Sequence, residues 1–122
     1  MNIDRNVIAT CKEKLLTAKA DLLNRFTSHM RDFQERENSG GGDEADQTNA
    51  VLAENHMYAT QIRLRTQLLE IESALARIHN GTYGICEETE EPIEKDRLLA
   101  IPWTRLSIEG AEIRETDEPR RA

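Results

Sequence analysis

The sequence predicts an all-α dominated protein, a long antiparallel coiled-coil hairpin followed by a small head and a C-terminal helix. Two long stretches have apolar residues at helical spacing and almost no Gly or Pro, and Gly40, Gly41 and Gly42 separate them. The chain has 4% aromatic and 32% charged residues. Because a pair of helices buries a narrow seam instead of a thick core, few aromatic residues are needed.

The first helix is predicted to begin near Ile3. Its seam steps alternately by three and four residues, as in a heptad repeat, and consists of Ile8, Cys11, Leu15, Ala18 and Leu22. Phe26 and Met30 continue the stripe by two steps of four, a phase shift that loosens the supercoil, and Phe33 ends it. The polar stretch at 34–39 and the three glycines then terminate the helix.

An acidic tip, residues 40–49, connects the two helices and contains Asp43 and Asp46. The second helix is predicted from Asp43 to about Asn80, with its clearest seam at Leu64, Leu68, Ile71, Leu75 and Ile78 and a weaker extension to Met57 and Ile62. Gly81 supplies a left-handed stop. A carboxylate-bearing tip on two long helices suggests a probe that reaches into a partner.

The remaining chain changes character and forms the predicted head. Pro102 is expected to open a last helix whose inward stripe contains Trp103, Leu106, Gly110 and Ile113. The head is expected to pack on the base of the hairpin through Tyr83, Ile93, Leu98, Ile101 and Trp103. We therefore divide the chain into a hairpin at 1–80, a head at 81–115 and a flexible tail at 116–122.

Composition excludes several classes of function. The net charge of −7 argues against direct DNA binding, which relies on cationic surfaces. No apolar run approaches the roughly 18 residues of a membrane span, and the N-terminus lacks the apolar stretch of a signal peptide. Cys11 and Cys86 form no disulfide framework, so a cytoplasmic protein with reduced thiols is expected.

Several short motifs follow one another in the second half of the chain. They are Ala74-Leu75-Ala76-Arg77-Ile78, Gly81-Thr82-Tyr83-Gly84-Ile85-Cys86, Arg97-Leu98 and Ala100-Ile101-Pro102. Together with the acidic tip, this combination resembles the DksA/TraR family. The resemblance implies a non-enzymatic regulator that binds bacterial RNA polymerase through its secondary channel and alters transcription initiation. We expect a monomer.

The resemblance also implies roles for individual residues. Asp43 and Asp46 occupy the acidic positions of the family's D-x-x-D motif, whose carboxylates approach the polymerase active centre, and Gln47 and Thr48 would tune that contact. Arg63 and Arg65 lie where the family carries basic residues that help bind guanosine tetraphosphate at the polymerase interface. The alternatives are that the aspartates only cap a helix and that the arginines form a solvated face.

The head departs from the family at its metal site. The family holds its head with four zinc-ligating cysteines, and the matching positions here are Cys86, Thr89, Ser107 and Gly110. Since structural zinc needs about four thiolate or imidazole ligands, we expect a degenerate zinc finger with no zinc cofactor. A substitute site using His79 and a nearby glutamate stays open. The small Gly110 would let the last helix sit close to the rest of the head.

Two other classes of function remain open from the sequence. A Gre-type transcript-cleavage factor would use tip carboxylates to help hold a second metal ion and an attacking water in the polymerase site. A structural coiled-coil adaptor would use the tip aspartates as caps alone. The glycine run precedes acidic residues and lacks a lysine, which makes it a poor cradle for phosphate.

Overall fold

The protein is helical, as its sequence predicts. In a computed structural model, residues 3–38 and 44–121 are described, and for 44–46 and 118–121 the description covers the backbone alone. The four helices of this part of the chain are α1 (Arg5–Asn38), α2 (Glu44–Asn80), α3 (Lys95–Ala100) and α4 (Ile108–Arg121). No strand occurs in these ranges, although an isolated antiparallel bridge joins Ile85 and Pro92. The all-α fold class is confirmed.

The chain divides into two compact units, and the boundary between them falls within both α1 and α2. One unit contains Met1–Ala18 and Glu70–Ala122, and the other contains Lys19–Leu69. We call them the head unit and the hairpin unit. The sequence-based boundary at residue 80 follows the end of α2, whereas the boundary at residue 115 falls within α4, and both stay predictions about domain organisation.

In the hairpin unit, α1 and α2 run antiparallel and pack along their apolar faces. Leu22 and Leu64 are buried there. The His29 Nε2 atom bonds to the Met57 carbonyl oxygen at 2.7 Å, and the Phe33 and Tyr58 rings meet edge-on with their centroids 5.2 Å apart. Ile62, which we expected to extend the seam, is instead exposed, because it lies on another face of α2.

The head unit has the larger buried core. Its fully enclosed side chains include Cys11 and Leu15 from α1 and Leu98 from α3. The Cys11 thiol donates to the Leu98 carbonyl at 3.4 Å, and the Lys14 ammonium donates to the Leu99 carbonyl at 2.8 Å. These contacts attach the head to the base of α1, as the sequence predicts.

Tyr83 shows how a polar group is accommodated in this core. Its hydroxyl donates to the Pro102 carbonyl at 2.8 Å. Burial, followed by a hydrogen bond with Cys11, raises the pKa of Tyr83. The phenol therefore stays neutral and serves as a donor throughout the physiological pH range.

The end of α2 follows the predicted glycine stop. Gly81 has φ of 78°, in the left-handed region. The Gly81 N–H bonds to the Ile78 carbonyl at 3.3 Å and the Thr82 N–H bonds to the Arg77 carbonyl at 2.9 Å. This pair of bonds is the Schellman motif, so the predicted helix end at Asn80 is confirmed.

The last part of the head differs from the prediction. Pro102 does not open a helix, because it lies in a turn closed by a 3.0 Å bond from the Thr104 N–H to the Ile101 carbonyl. The short helix α3 precedes this turn, and α4 begins six residues after Pro102, at Ile108, and continues through 116–121. Trp103 is 39% exposed, so its assignment to the core was wrong. Among the described residues, no helix is long and apolar enough to cross a membrane.

Candidate functional site

The described part of the acidic tip, residues 44–49, forms the start of α2. Asp43 falls outside the described residues, and Asp46 is the third residue of α2, which begins at Glu44. Acidic groups in the first turn of a helix are favoured by the positive end of its dipole. Gln47 and Thr48 follow on the exposed surface of α2. The predicted roles of these four residues stay predictions.

The two candidate arginines lie further along the same helix. Arg63 and Arg65 are exposed, and one Nη atom of Arg63 donates to the Thr60 hydroxyl at 3.2 Å. At 1.5 Å per residue, Arg63 lies about 25 Å along α2 from Asp46. The helix therefore separates the arginines from the tip, and their assignment to a nucleotide or polymerase contact stays a prediction.

The four positions that correspond to zinc ligands come together in the head unit. A turn at 86–91 brings the first two into contact, closed by bonds from the Cys86 N–H to the Glu91 carbonyl at 2.8 Å and from the Glu90 N–H to the Cys86 carbonyl at 2.9 Å. Glu90 has φ of 60°, which lets the chain reverse. The Thr89 N–H then points at the Cys86 sulfur, 3.5 Å away.

The start of α4 supplies the other two positions. Ser107 is the N-cap of α4, because its hydroxyl accepts a 3.0 Å bond from the Gly110 N–H. A Cβ atom at Gly110 would collide with the Cys86 sulfur and would lie 3.3 Å from the Ser107 hydroxyl. Glycine thus allows α4 to approach the thiol directly, which confirms the close approach predicted for this residue.

The environment of Cys86 alters its acidity. Burial raises the pKa of the thiol, but hydrogen bonds from Ser107 and Thr89 outweigh burial and bring the pKa down to about 6. The sulfur nevertheless has almost no contact with solvent, since Cys86 is 1% exposed. The four positions therefore form a buried contact between the turn and α4, and they offer no solvent-accessible reacting group.

An ion-pair network lies around this buried contact, and the sequence analysis did not predict these ion pairs. Arg105 pairs with Glu70 of α2 at 3.3 Å and with Glu87 at 3.1 Å, and it donates to the Ser73 hydroxyl at 2.8 Å. Arg114 of α4 pairs with Glu88 at 3.0 Å. Glu87 and Glu88 belong to an acidic run at 87–91. The sign pattern alone does not identify partners so distant in sequence.

Trp103 lies beside this network on the surface. It lines a shallow pocket of about 250 Å³ together with Arg97 and Arg105. Two carbonyls of its turn, those of Trp103 and Thr104, accept bonds of 3.3 Å from Arg77. The turn that displays the indole is therefore fixed to α2.

Comparisons with known proteins identify the family. Residues 81–115 match the prokaryotic dksA/traR C4-type zinc finger. The chain is 35% identical over 107 residues to the RNA polymerase-binding transcription factor DksA of Caulobacter vibrioides, a match that covers 88% of this chain and 75% of that protein. The chain belongs to the DksA/TraR family. An uncharacterised protein of Aquifex aeolicus is similar to this family member, with 36% identity over 114 residues, 90% of this chain and 77% of that one.

The likeness of this DksA/TraR protein to solved structures extends beyond the finger. The transcription factor DksA2 of Pseudomonas aeruginosa matches with a TM-score of 0.85 and 30% identity, over 95% of this chain and 88% of that one. The match therefore includes the long helices as well as the head. It confirms both the resemblance that the sequence motifs indicated and the predicted coiled-coil hairpin.

The family match corrects our expectation about zinc. We expected no zinc cofactor, whereas the matching finger is of the C4 type, which supports zinc binding as a property of the domain. The four side chains at the corresponding positions do not fit a C4 site, since Cys86 is their one thiol and Gly110 has no side chain. Among the described residues, no group of three or more His, Cys, Asp and Glu could hold a metal ion. The function that we propose does not depend on a zinc ion.

Proposed function

We propose that this DksA/TraR protein binds bacterial RNA polymerase through its secondary channel and modulates transcription initiation with the tip carboxylates Asp43 and Asp46. The protein performs no chemistry itself. Its effect is a shift in the stability of promoter complexes, produced by negative charge placed near the polymerase active centre. Gln47 and Thr48 follow the two aspartates in the sequence and adjust the contact.

The observation that carries this proposal is the extent of the likeness to DksA2. A match confined to the finger would support a shared head alone, but 95% of this chain is covered, including both long helices. The related factor from Caulobacter vibrioides is described by its name as RNA polymerase-binding. The tip sequence supplies acidic residues at the start of α2, where such a hairpin would present them.

The position of Asp46 supports a role for charge instead of catalysis. Asp46 lies in the first turn of α2, where the positive end of the helix dipole favours negative charge. Two carboxylates cannot by themselves complete the octahedral shell of Mg²⁺, so any metal they influence is held by the partner. The tip would act on an ion or a water that the polymerase already binds.

The test compares wild-type protein with the double variant Asp43→Asn/Asp46→Asn in transcription from a sensitive promoter at saturating protein concentration. Asn caps a helix about as well as Asp, so the variant is expected to stay folded, with a loss of about 0.3–1 kcal/mol from the dipole. It is expected to bind core polymerase normally and to lose most of its effect on initiation. The matched control is Glu35→Gln/Glu37→Gln, which removes two exposed carboxylates from the end of α1.

Equal activity of the Asp43→Asn/Asp46→Asn variant and wild type would reduce the two aspartates to helix caps. Absence of polymerase binding by the wild-type protein would contradict the whole proposal and favour a structural adaptor. A backtracked-complex assay covers the Gre-type alternative, and we expect no stimulation of transcript cleavage. Stimulation that disappears in the double variant would assign the tip to cleavage instead of initiation.

A further inference from the structure

The loop that joins α3 and α4, residues 101–107, is held by hydrogen bonds along almost its whole backbone. Each of the six carbonyl groups from 101 to 106 accepts a bond, at donor–acceptor distances between 2.8 and 3.3 Å. In the order of those carbonyls, the donors are the Thr104 N–H, the Tyr83 hydroxyl, Arg77 for two carbonyls, the Glu87 N–H and Arg97. All of these residues belong to the head unit, which therefore fixes the conformation of the loop.

Trp103 is the large side chain that this loop leaves at the surface. It is 39% exposed, although Pro102 before it is buried, and it is the one tryptophan of the chain. It lines the shallow pocket of about 250 Å³ together with Ile101 and Leu106, which are partly buried. The indole therefore lies beside apolar side chains and keeps an apolar surface of its own in contact with water.

The fixed conformation of the loop favours binding to another protein. Association costs free energy when loops and side chains have to be ordered, and a loop that is already ordered avoids much of this cost. Tryptophan contributes a large contact area with only two side-chain torsions, and it is enriched among the residues that dominate the free energy of binding. The α3–α4 loop thus combines an ordered backbone with the side chain that protein interfaces use most effectively.

The charges behind the loop indicate the character of a partner. Arg77 and Arg97 donate to carbonyl and hydroxyl oxygens, and among the described residues no carboxylate forms an ion pair with either arginine. Burial, followed by the charge of Arg105, lowers the pKa of Arg77. The positive charge behind Trp103 is therefore incompletely compensated within the chain, and a complementary partner carries acidic groups.

A protein fits this loop better than a nucleic acid does. The net charge of −7 repels a polyanion, whose binding depends on many cationic groups that neutralise phosphates. A protein, in contrast, can place a few acidic side chains around an apolar site, which is the arrangement that an exposed indole with arginines behind it complements.

Given the polymerase binding proposed above, we propose that the α3–α4 loop docks the head unit on RNA polymerase, with the Trp103 indole packed against an apolar site that acidic side chains of the polymerase border. The loop supplies affinity, whereas the tip carboxylates supply the effect on initiation. The two roles belong to different parts of the chain and can be separated by substitution.

The first test measures the binding of core polymerase to the immobilised full chain. Trp103→Ala is expected to weaken binding at least about tenfold, as truncation of a central interface tryptophan does, and Trp103→Phe is expected to weaken it less. The matched control is Ile113→Ala, which truncates a 37% exposed side chain of α4 and is expected to change the dissociation constant less than about twofold. Far-ultraviolet circular dichroism checks that each variant is folded.

The acidic character of the polymerase site is tested at Arg97. Lys and Gln can both donate to the Leu106 carbonyl that Arg97 now bonds, but only Lys keeps the positive charge. Arg97→Lys is expected to bind within about twofold of wild type, and Arg97→Gln is expected to bind about three- to tenfold more weakly at low salt. Equal affinities of the two variants would overturn the acidic partner site.

Transcription measured over a range of protein concentrations separates docking from the function of the tip. Trp103→Ala is expected to need a higher concentration but to reach the wild-type maximum, whereas Asp43→Asn/Asp46→Asn is expected to bind normally and to lose the maximum. Wild-type affinity of Trp103→Ala would overturn the docking role and leave the proposed tip function intact. Absence of binding by the wild-type chain would overturn the proposed function itself, and the docking role with it.

A titration without polymerase tests whether a small anion occupies the pocket instead. Because the tryptophan emission of the chain comes from Trp103 alone, it reports directly on this loop. Inorganic pyrophosphate up to about millimolar concentration is expected to leave the emission unchanged. A saturable change would assign the pocket to a free anion and overturn docking through this loop.

Discussion

Gly110 is the residue whose side-chain size decides how closely α4 approaches the turn at Cys86. A Cβ atom there would collide with the Cys86 sulfur and would also lie 3.3 Å from the Glu88 Cβ. We predict that Gly110→Ala lowers the free energy of unfolding of the head by about 1–3 kcal/mol, the usual cost of overpacking. This cost exceeds the gain of up to about 1 kcal/mol in helix propensity. Urea denaturation followed by Trp103 fluorescence measures it.

The cause of that loss can be isolated by a double-mutant cycle. If the sulfur is the obstacle, the same Gly110→Ala change should cost much less in a Cys86→Ala background, because the added methyl group can occupy the vacated space. An equal cost in both backgrounds would show that the collision with Cys86 is not responsible.

Single side chains in the head could be predicted from the sequence only where their neighbours were identifiable. Gly110 was correctly expected to permit a close approach, because a residue without a side chain on the inward stripe leaves room for a neighbour, but the sequence did not identify Cys86 as that neighbour. Trp103 was incorrectly assigned to the core, because we extended a helical stripe from Pro102 through it. Since Pro102 lies in a turn instead, the direction of the indole does not follow a helical period, and the ring is exposed.

The long helices were predictable because their patterns repeat. The seam of α1 repeats over many residues, and the glycine stop of α2 needs a left-handed dihedral angle that glycine adopts readily. The structure confirms both features. The helix α3 spans six residues, Lys95–Ala100, which is less than two turns and too short for a period to be recognised. The start of α4 depends on the Ser107 cap. In the sequence, Pro102 is a stronger indication of a helix start than Ser107, so the start of α4 was predicted too early.

The short helix α3 nevertheless fixes the head core through Leu98. Leu98 is fully buried, whereas Trp103 is 39% exposed. We predict that Leu98→Ala destabilises the head by about 2–5 kcal/mol, as for other buried leucines, and that Trp103→Ala costs clearly less. Urea denaturation followed by far-ultraviolet circular dichroism compares both variants with wild type. A larger cost for Trp103→Ala would place the indole in the core after all.

Interactions that join distant segments were the part of the fold that the sequence did not reveal. Arg105 connects Glu70 of α2 with Glu87 of the turn, and neither partner is near it in the chain. A charge pattern predicts pairs three or four residues apart on a helix, but long-range pairs depend on how the elements pack. The candidate tip was found from the sequence because its glycines and acids are contiguous. Its functional assignment rests on family membership.

The net charge of the chain leads to a last prediction, that regulation acts through the polymerase and not through DNA. With a net charge of −7, the protein repels the phosphate backbone, and nonspecific DNA binding needs cationic groups that displace counterions. We expect no binding to duplex DNA in fluorescence anisotropy at about 0.15 M salt, where screening extends over about 8 Å. Core polymerase without DNA is expected to bind the labelled protein under the same conditions. Saturable binding to promoter DNA alone would contradict this prediction, and loss of that binding on raising the salt would locate a cationic patch that the net charge conceals.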